Sequence, residues 1–313
     1  LVVHDRFVSP LGDIDASTGR LGDVGTLRGK ILAVRGFTGS TVGPYVVYSL
    51  KKRGLAPRAV IVEHVDVNAL TSALLSGIPL FGVDNLSSLR ELCDGGVRLV
   101  CIEDGKLRPR GALIAIEGLD GAGKTTVATR LLEILRGCGY SAVYTYEPYY
   151  GVIRRIFEEG GMRLTPETEA MLMVADRYSH YEEVIRKELE HGSIVILDRY
   201  KHSTIAYQGA AGLPTDWLRE LQRYLPDPDV GIYLDIGPEE GLARKSGGES
   251  RPLIYFEKLD RLRKTREIYL ELASRGELVA VDASLELSQV VARVVMAVEE
   301  KLGLDLGSCL QLQ

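Results

Sequence analysis

The sequence has little cysteine or tryptophan and no long apolar run. Of its 313 residues, 4 are cysteine and 1 is tryptophan. No apolar stretch reaches the roughly 18 residues that a membrane-spanning helix needs, and the first residues do not show the basic-then-apolar pattern of a leader. We therefore expect a cytoplasmic protein with no membrane partner.

The cysteines also argue against two kinds of metal centre. They form no Cys-x-x-Cys pair, and their positions are Cys93, Cys101, Cys138 and Cys309. Such pairs are typical of structural zinc sites and of many iron–sulfur sites. The sequence thus predicts neither zinc nor an iron–sulfur cluster, and we expect free thiols in a reducing compartment.

Neither sign of charge dominates the composition. The chain carries 38 basic and 43 acidic residues, which gives a formal net charge of -5. A nucleic-acid-binding surface would need a cluster of basic residues, and the sequence has none. The composition is that of a globular protein without a nucleic-acid partner.

One glycine-rich motif carries most of the chemical information. It follows the apolar stretch Ala112–Ile116 and matches G-x-x-x-x-G-K-[ST] in full. Its glycines let backbone amides approach phosphate oxygens, and the helix that follows adds its positive end. Lys124 would reach the β- and γ-phosphates of ATP, and the Thr125 hydroxyl would bind Mg²⁺. The candidate ATP-binding residues are Gly118, Leu119, Asp120, Gly121, Ala122, Gly123, Lys124, Thr125 and Thr126.

The elements around this motif predict an α/β fold. Downstream of residue 111, apolar strands alternate with helices, which indicates a parallel sheet covered on both faces. The chain lacks the Asn-Lys-x-Asp motif with which GTPases read guanine. We therefore predict a doubly wound parallel sheet, and a small-molecule kinase as the class of enzyme.

A second charged site follows the apolar strand Ile194–Leu197. This strand ends in Asp198-Arg199-Tyr200, and the carboxyl ends of parallel strands lie at the same edge of the sheet as the phosphate loop. Arg199 can therefore neutralise the transferring phosphoryl group, and Asp198 can hold Mg²⁺ or its water ligands.

A change of composition near residues 104–111 indicates a domain boundary. Glycine, proline and basic residues are concentrated there, and we interpret residues 105–110 as a linker. We predict an accessory domain over residues 1–108 and a kinase domain over residues 109–313. Short apolar runs upstream, such as Ile31–Val34 and Ala59–Val62, predict that the first domain is also α/β.

The second domain resembles the archaeal and bacterial thymidylate kinases over residues 111–302. Besides the phosphate loop, the matching motifs share the order and spacing of that family: Tyr146-Glu147-Pro148, Thr165–Glu169, Ala175-Asp176-Arg177, Asp198–Gly209 and Thr265–Leu272. The motif over residues 198–209 is highly specific. The resemblance implies the P-loop nucleoside-monophosphate-kinase fold, phosphoryl transfer from ATP to dTMP, Mg²⁺ bound with ATP, and a homodimer.

The resemblance also implies roles at the acceptor site. Asp120 would contact the deoxyribose 3′-hydroxyl, and Glu147 would lie near the transferred phosphate. Arg155 would bind the phosphate of dTMP, with Arg154 as the alternative. Arg199 would contact the same phosphates. Thymine and the sugar would be contacted by a further set of residues: Arg177, Ser203, Thr204, Tyr207 and Gln208.

Two features depart from the family pattern: the residue at position 173, and the turn after Glu147-Pro148, where Tyr149-Tyr150-Gly151 replaces a longer glycine-rich turn. Met173 stands where the family has a phenylalanine that stacks on thymine, and methionine can also cover a ring face because its sulfur is polarisable. The phosphate loop contains no arginine, so the resemblance implies that a basic lid supplies positive charge, from Arg244, Lys245 or Arg251. Such a loop can close over ATP and exclude water.

The first domain resembles the small swivelling-domain component of aconitase-X-type dehydratases over residues 7–84. The resemblance implies a swivelling β/α barrel-like domain that serves packing, docking or regulation, with an unidentified partner or ligand. Ser40 and Thr41 could bind an anion through local backbone amides. The family has an arginine where this chain has Thr38. The matching segments are Gly12–Asp15, Gly39–Gly43, Tyr45–Tyr48, Arg53–Pro57 and Ser76–Leu80.

Two other functions stay open at this point. Met173 raises the alternative of a kinase for another deoxynucleoside monophosphate, such as dUMP. The second alternative is a nucleotide-sensing regulatory protein with a docking N-terminal domain. Lys124 and Arg199 favour an enzyme over a sensor, because a sensor has no use for a second phosphate site.

Overall fold

The computed structural model describes residues 1–158, 164–246 and 252–307. The chain divides into two units, Leu1–Pro109 and Arg110–Gln313. Both units combine helices with parallel strands, so the predicted α/β class is confirmed. Within the described ranges, no helix is long and apolar enough to cross a membrane.

Unit 1 is built from short elements around a parallel sheet. In chain order the elements are β1 (Val2–Val8), α1 (Pro10–Asp13), β2 (Ile14–Asp15), β3 (Arg20–Leu21), β4 (Gly25–Thr26), β5 (Ile31–Phe37), α2 (Gly43–Lys52), β6 (Ala59–Val62), α3 (Val67–Ser76), β7 (Leu80–Gly82), α4 (Ser87–Asp94), β8 (Val100–Glu103) and β9 (Lys106–Pro109). The parallel sheet has the strand order β1-β5-β6-β7. A small antiparallel sheet contains β2, β3 and β4.

The parallel sheet of unit 1 is stabilised mainly by its apolar inner strands. All of β6, Ala59–Val62, is buried, as expected for an inner strand that is covered on both sides. Leu32 of β5 packs in one apolar cluster with Val47 and Leu50 of α2. Burial of these side chains, rather than local propensity, stabilises the sheet.

The segment that we interpreted as a linker is part of a hairpin. Strands β8 and β9 pair in antiparallel fashion, with Glu103 opposite Lys106. The turn between them is Asp104-Gly105, with φ of 50° and 71°, and an Asp-Gly pair at positive φ is a preferred two-residue hairpin turn. The linker interpretation is therefore wrong for residues 106–109, because this turn signal outweighs the neighbouring proline and basic residues.

Unit 2 has longer elements in the alternation that the sequence predicts. In chain order they are β10 (Ala112–Gly118), α5 (Lys124–Gly137), β11 (Ala142–Tyr146), α6 (Gly151–Glu158), α7 (Pro166–His180), α8 (Arg186–Glu190), β12 (Ile194–Asp198), α9 (Lys201–Ala210), α10 (Thr215–Glu220), β13 (Val230–Asp235), α11 (Pro238–Ser246), α12 (Pro252–Ser274), β14 (Val279–Asp282) and α13 (Leu287–Leu302). A π-helical turn over Tyr181–Ile185 joins α7 to α8.

The strands of unit 2 form one parallel sheet in the order β11-β12-β10-β13-β14. Strand β10 is central and buried along its whole length. The register places Asp198 beside both Ile116 and Tyr146, and Gly118 beside Leu234. The strands therefore end together, and the segments that follow them meet at one edge of the sheet. This is the predicted doubly wound sheet.

One expectation about the cysteines is wrong. Cys93 and Cys101 are free thiols, whereas Cys138 is disulfide-bonded. The expectation fails for Cys138 because a disulfide depends on the distance and orientation of two cysteines in the fold. Spacing along the sequence does not reveal either quantity.

Candidate active site

The loop between β10 and α5 has the backbone of a phosphate-binding loop. Gly118, Gly121 and Gly123 have φ of 148°, 83° and 84°, a region in which residues with a Cβ are strained. Gly121 also lacks space for a Cβ, which would lie 2.1 Å from the carbonyl oxygen of Gly241 in α11. The loop amides and the N-terminus of α5 together favour binding of an anion.

Lys124 begins α5 and is held against the loop. Its Nζ donates a hydrogen bond to Leu119 O at 2.9 Å, and its side chain is buried. Burial lowers the pKa of Lys124 from 10.5 to about 7, with a further contribution from the positive charge of Arg199. An anion bound at the loop would favour the protonated form of Lys124, because opposite charges stabilise each other.

Thr125 and Asp198 bring two oxygen ligands together. Thr125 Oγ1 donates a hydrogen bond to Asp198 Oδ2 at 2.6 Å. The two residues are neighbours because β12, which ends at Asp198, pairs with β10. Mg²⁺ prefers hard oxygen ligands, and in nucleotide sites it commonly has one or two protein ligands besides phosphate and water. A hydroxyl and a carboxylate therefore fit Mg²⁺.

Arg199 lies between the phosphate loop and α9. Its φ of 73° is rare for a residue with a Cβ and costs about 1–3 kcal/mol. The guanidinium forms an ion pair with Asp120 and donates to Gly118 O at 3.4 Å. It also lies 5.1 Å from the centroid of the Tyr207 ring. The sharp turn after β12 thus directs a cation at the edge of the phosphate loop.

Arg177 and Glu147 form a buried ion pair at the end of β11. Arg177 Nε donates to Glu147 Oε2 at 2.7 Å. The same guanidinium donates to Thr204 Oγ1 at 3.0 Å and to Gln222. Breaking a buried pair leaves an uncompensated charge and is strongly unfavourable. The pair therefore holds Arg177 rigidly in the wall of a cavity.

This cavity has a volume of about 810 Å³, which is within the usual range for small-molecule sites. The phosphate loop forms one part of its wall, and helices α7 and α9 form another. It brings together most of the residues that the sequence analysis singles out: Asp120, Lys124, Thr125, Glu147, Met173, Arg177, Asp198, Arg199, Ser203, Thr204, Tyr207 and Gln208.

Of the two arginines considered for the acceptor phosphate, the cavity wall includes Arg154. Arg155, the next residue of α6, does not line the cavity in the described part of the chain. The remaining loop residues lie beside the cavity without lining it. They are Gly118, Leu119, Gly121, Ala122, Gly123 and Thr126.

Among the proposed lid residues, Arg244 does not line the cavity in the described ranges. It donates to Ala283 O at 3.1 Å and to Glu240 Oε1 at 2.7 Å, and so ties α11 to the segment after β14. Arg251 lies outside the described residues, as does the side chain of Lys245. A cation that the sequence analysis does not single out, Arg261 of α12, does line the cavity.

Two further acidic residues accept backbone hydrogen bonds beside the site, and the sequence predicted no role for either of them. Glu117 is fully buried and accepts hydrogen bonds from backbone groups at the start of α9. Asp176 accepts hydrogen bonds from the backbone N–H of Tyr149 and Tyr150 at 2.6 and 2.8 Å, which holds the turn after β11. A lone carboxylate in the apolar stretch Ala112–Gly118 is a signal that could have identified the first of them.

A third acidic residue orients a polar side chain of the cavity. Gln208 Nε2 donates to Glu169 Oε2 at 3.4 Å. Arg261 Nη2 lies 3.5 Å from the same oxygen. All three side chains line the cavity. Glu169 ends the matching motif over residues 165–169, but no role is predicted for it, and Arg261 has no sequence signal. The packing of α7, α9 and α12 brings these residues together.

A parallel sheet, a phosphate loop and a charged turn after the adjacent strand all border one cavity. This arrangement defines a phosphotransferase of the P-loop kinase fold. A family model described as "Thymidylate kinase" matches residues 116–294, and the chain belongs to this family. A second family model, described as "Aconitase X swivel domain", matches residues 1–106. Both resemblances inferred from the sequence are thus confirmed.

Curated relatives support the assignment of the kinase domain. A thymidylate kinase of Xanthomonas oryzae pv. oryzae is 43% identical over 207 residues, which cover 64% of this chain and 90% of the relative. A protein of Staphylothermus marinus named as a probable thymidylate kinase is 39% identical over 193 residues, covering 61% and 96%. A thymidylate kinase of Xylella fastidiosa is 40% identical over 202 residues, covering 64% and 92%.

Proposed function

We propose that the protein transfers the γ-phosphoryl group of ATP to dTMP and releases dTDP and ADP. The observation that carries this proposal is that one cavity borders both the phosphate loop and a polar pocket formed by α7 and α9. A phosphate donor and a nucleotide acceptor can therefore react within one site. Relatives named thymidylate kinase support the same acceptor.

On the donor side, the chain binds phosphate through backbone groups and charge. The loop amides would donate to phosphate oxygens, and Lys124 would exchange its bond to Leu119 O for bonds to the β- and γ-phosphates. Thr125 and Asp198 would hold Mg²⁺, which when bound neutralises charge on the phosphates. Glu147 Oε1 is buried without a hydrogen-bond partner among the described residues and lies 3.6 Å from Nδ1 of His180.

On the acceptor side, different groups would contact the phosphate, the sugar and the base. Arg154 is the arginine of α6 in the cavity wall, and we assign it to the dTMP phosphate in place of Arg155. Tyr207 and Asp120 flank Arg199 and would face the sugar. The pyrimidine would be held by hydrogen bonds and covered on one face by a sulfur-containing side chain; this set comprises Arg177, Thr204, Gln208 and Met173.

Transfer in this arrangement needs no protein nucleophile. A phosphate oxygen of dTMP attacks the γ-phosphorus, and the bond from phosphorus to the bridging oxygen of ADP breaks in line with the attack. Lys124, Arg154 and Arg199 neutralise charge and hold the reacting groups in position. No general base is required, because the attacking phosphate is already an anion.

ADP release with ATP, Mg²⁺ and a panel of acceptors tests the proposal. The panel contains dTMP, dUMP, UMP, dCMP and thymidine. We expect fast turnover with dTMP alone and a fall in kcat of about 100- to 1,000-fold in the Arg199→Ala variant. Comparable turnover with dUMP would assign the enzyme to another deoxynucleotide. Tight ATP binding without turnover of any acceptor would instead support a nucleotide-sensing regulatory protein.

We further propose that the enzyme is a cytoplasmic homodimer, as the resemblance to the family implies. Dimerisation through the kinase domain would make the assembly symmetric, like most soluble oligomers. Light scattering of the full chain is then expected to give twice the mass of one chain. A monomeric mass at micromolar concentration would contradict this proposal.

We propose that residues 1–108 form an accessory domain that docks a partner or ligand, and that residues 109–313 form the kinase domain. Ser40 and Thr41 lie directly before α2, where an anion could bind, but they would take no part in phosphoryl transfer. Joint replacement of both by alanine should therefore leave dTMP turnover unchanged. Limited proteolysis of the full chain should cut first at the exposed hairpin turn Asp104-Gly105 or directly after β9, at Pro109-Arg110. A first cut within 118–200 would contradict the division.

A further inference from the structure

Glu117 is a buried carboxylate to which the proposed transfer assigns no role. Its exposed fraction is 0%, and it lies in β10 directly before the phosphate loop. Burial of an ionised carboxylate is unfavourable unless hydrogen bonds satisfy its oxygens. The partners of those oxygens therefore indicate what the residue does.

One oxygen of Glu117 caps helix α9. Glu117 Oε1 accepts hydrogen bonds from the backbone N–H of Tyr200 at 2.9 Å and of Ser203 at 3.2 Å. Tyr200 occupies the N-cap position of α9, and its own side chain makes no capping hydrogen bond. The first N–H groups of a helix need acceptors, and negative charge is favourable beside them. Glu117 supplies both from the neighbouring strand.

The other oxygen of Glu117 reaches Arg199 through Ser203. Ser203 Oγ donates to Glu117 Oε2 at 2.5 Å and accepts a hydrogen bond from Arg199 Nη1 at 3.3 Å. Tyr269 of α12 donates to the same Oε2 at 3.0 Å. Both oxygens thus act only as acceptors, which a carboxylate allows and an amide does not.

Hydrogen bonds to β10 hold the backbone before and after Arg199. A φ of 73° persists in a residue with a Cβ only where the surroundings impose it. Arg199 N donates to Ile116 O at 3.0 Å, and the next backbone N–H, of Tyr200, donates to Glu117. Consecutive residues of one strand therefore hold the two peptide groups that flank the strained residue.

We propose that Glu117 is a positioning residue for phosphoryl transfer, and that it acts by holding Arg199 directed at the phosphates. The inference rests on the proposed function, since Arg199 is the cation assigned to the transferring group. Glu117 fixes the cap of α9, the strained turn and the Ser203 hydroxyl. A glutamine at this position would present an NH₂ group to donors, and the guanidinium would lose its fixed orientation.

A double-mutant cycle tests this assignment. Glu117→Gln should lower kcat for dTMP by about 10- to 100-fold, because a misplaced catalytic group costs that much, while KM for ATP and dTMP changes less than about threefold. In the Arg199→Ala background, the same substitution should lower kcat by less than about threefold, because residues that act through each other are not additive. Initial rates at saturating substrates give all four values.

Tyr269→Phe is the matched control for the cycle. It removes one hydrogen bond to Oε2 but leaves the cap and the Ser203 bond intact, so kcat should stay within about threefold of the wild type. Wild-type kcat in Glu117→Gln, or an equal loss in both backgrounds, would overturn the proposal. Failure of the wild type to use dTMP would instead overturn the proposed function, so the two failures are distinguishable.

The cycle remains informative if the glutamine variant does not fold. Thermal unfolding of each variant shows whether the native state is present under assay conditions. Glu117→Asp keeps the charge but shortens the reach, and it serves as the second variant in the same cycle. A crystal structure of either folded variant should show the Arg199 side chain displaced from Asp120. An undisplaced Arg199 together with a lowered kcat would also overturn the proposal.

Discussion

The guanidinium of Arg154 lies over the ring of Tyr146, at 4.5 Å from the ring centroid. Arg155 follows in the same helix, about 100° around the helix axis, and is not among the described residues that line the cavity. Contact with an aromatic face is favourable for an arginine and restricts its long side chain. One of two adjacent arginines is thus held in the cavity before any ligand binds.

Replacement of Arg154 by alanine is expected to raise KM for dTMP by about 10- to 100-fold, because a charge-assisted hydrogen bond to phosphate is lost. Steady-state rates at varied dTMP give this value, and KM for ATP should change little. Arg155→Ala is the matched control from the same helix and should stay within about twofold of the wild type. Equal effects of the two substitutions would refute the assignment of Arg154.

The approach of α11 to the phosphate loop predicts a sensitive glycine. A Cβ at Gly241 would lie 2.7 Å from Asp120 O. This is a backbone atom, so no change of side-chain rotamer can relieve the contact. Gly241→Ala should therefore displace the loop and weaken ATP binding by about tenfold or more. Calorimetric titration with ATP measures the change.

Gly237 provides the control for this substitution. A Cβ at Gly237 meets no atom within 4 Å, so Gly237→Ala should bind ATP like the wild type. An ATP affinity that is unchanged in Gly241→Ala would mean that the helix does not restrain the loop. A loss in both variants would point to a general effect on α11 instead.

The hydrogen bond from Gln208 to Glu169 predicts a choice between pyrimidines. With its NH₂ group directed at Glu169, Gln208 would use its carbonyl oxygen to accept the N3–H of thymine in the proposed complex. Cytosine has an acceptor at N3 and would leave two acceptors facing each other, which is unfavourable when buried. Glu169→Ala should therefore reduce the preference for dTMP over dCMP by about tenfold.

The ratio of kcat/KM for dTMP to that for dCMP measures this preference. Glu167→Ala is the control, because Glu167 is exposed in the same first turn of α7. An unchanged ratio in Glu169→Ala would show that Gln208 is oriented by other groups. A fall of both rates in the same proportion would indicate a loss of packing rather than of selectivity.

His202 is expected to make stability depend on pH. Burial lowers its pKa, and the nearby Glu117 and Glu277 oppose the shift only in part. The histidine therefore stays neutral in the folded protein, whereas the unfolded chain takes up a proton below about pH 6.5. The stability contribution is present above that pH and is lost as pH falls towards the lowered pKa.

Urea unfolding at several pH values between about 5.5 and 7.5 measures this effect. The free energy of unfolding should fall less with acidification in His202→Asn than in the wild type. His191→Asn, at an exposed position, should leave the slope unchanged. Identical slopes for the wild type and His202→Asn would contradict the prediction.

Much of the fold could be predicted because its elements are locally consistent. Helix α7 begins with Thr165 as N-cap, whose hydroxyl accepts a hydrogen bond from Thr168 N, and a threonine followed by proline and acidic residues is a typical helix start in a sequence. The buried strand β10 is a continuous apolar run apart from Glu117. Strand β1 was not predicted, because Val2–Val8 contains charged residues that interrupt the apolar pattern. In the structure, several of its side chains are only partly buried.

The candidate site could be predicted only where residues form part of a motif. The phosphate loop and the turn at Arg199 have such patterns. Arg261 has no such pattern, and the motif that ends at Glu169 does not reveal the contact of Glu169 with Gln208, because helices that are distant in sequence bring these residues to one cavity. The choice between Arg154 and Arg155 depends on the rotation of one short helix, and spacing to neighbouring motifs does not determine that rotation.

Strand β10 has a consequence for hydrogen exchange. It is paired with β12 on one side and β13 on the other, and it is buried throughout. Amides in such a strand exchange with solvent only when the whole unit opens. Deuterium uptake over Leu113–Ile116 should thus report the global stability of the kinase unit, and ATP should slow it only by stabilising that unit. The phosphate loop can adjust locally while the strand from which it starts stays closed.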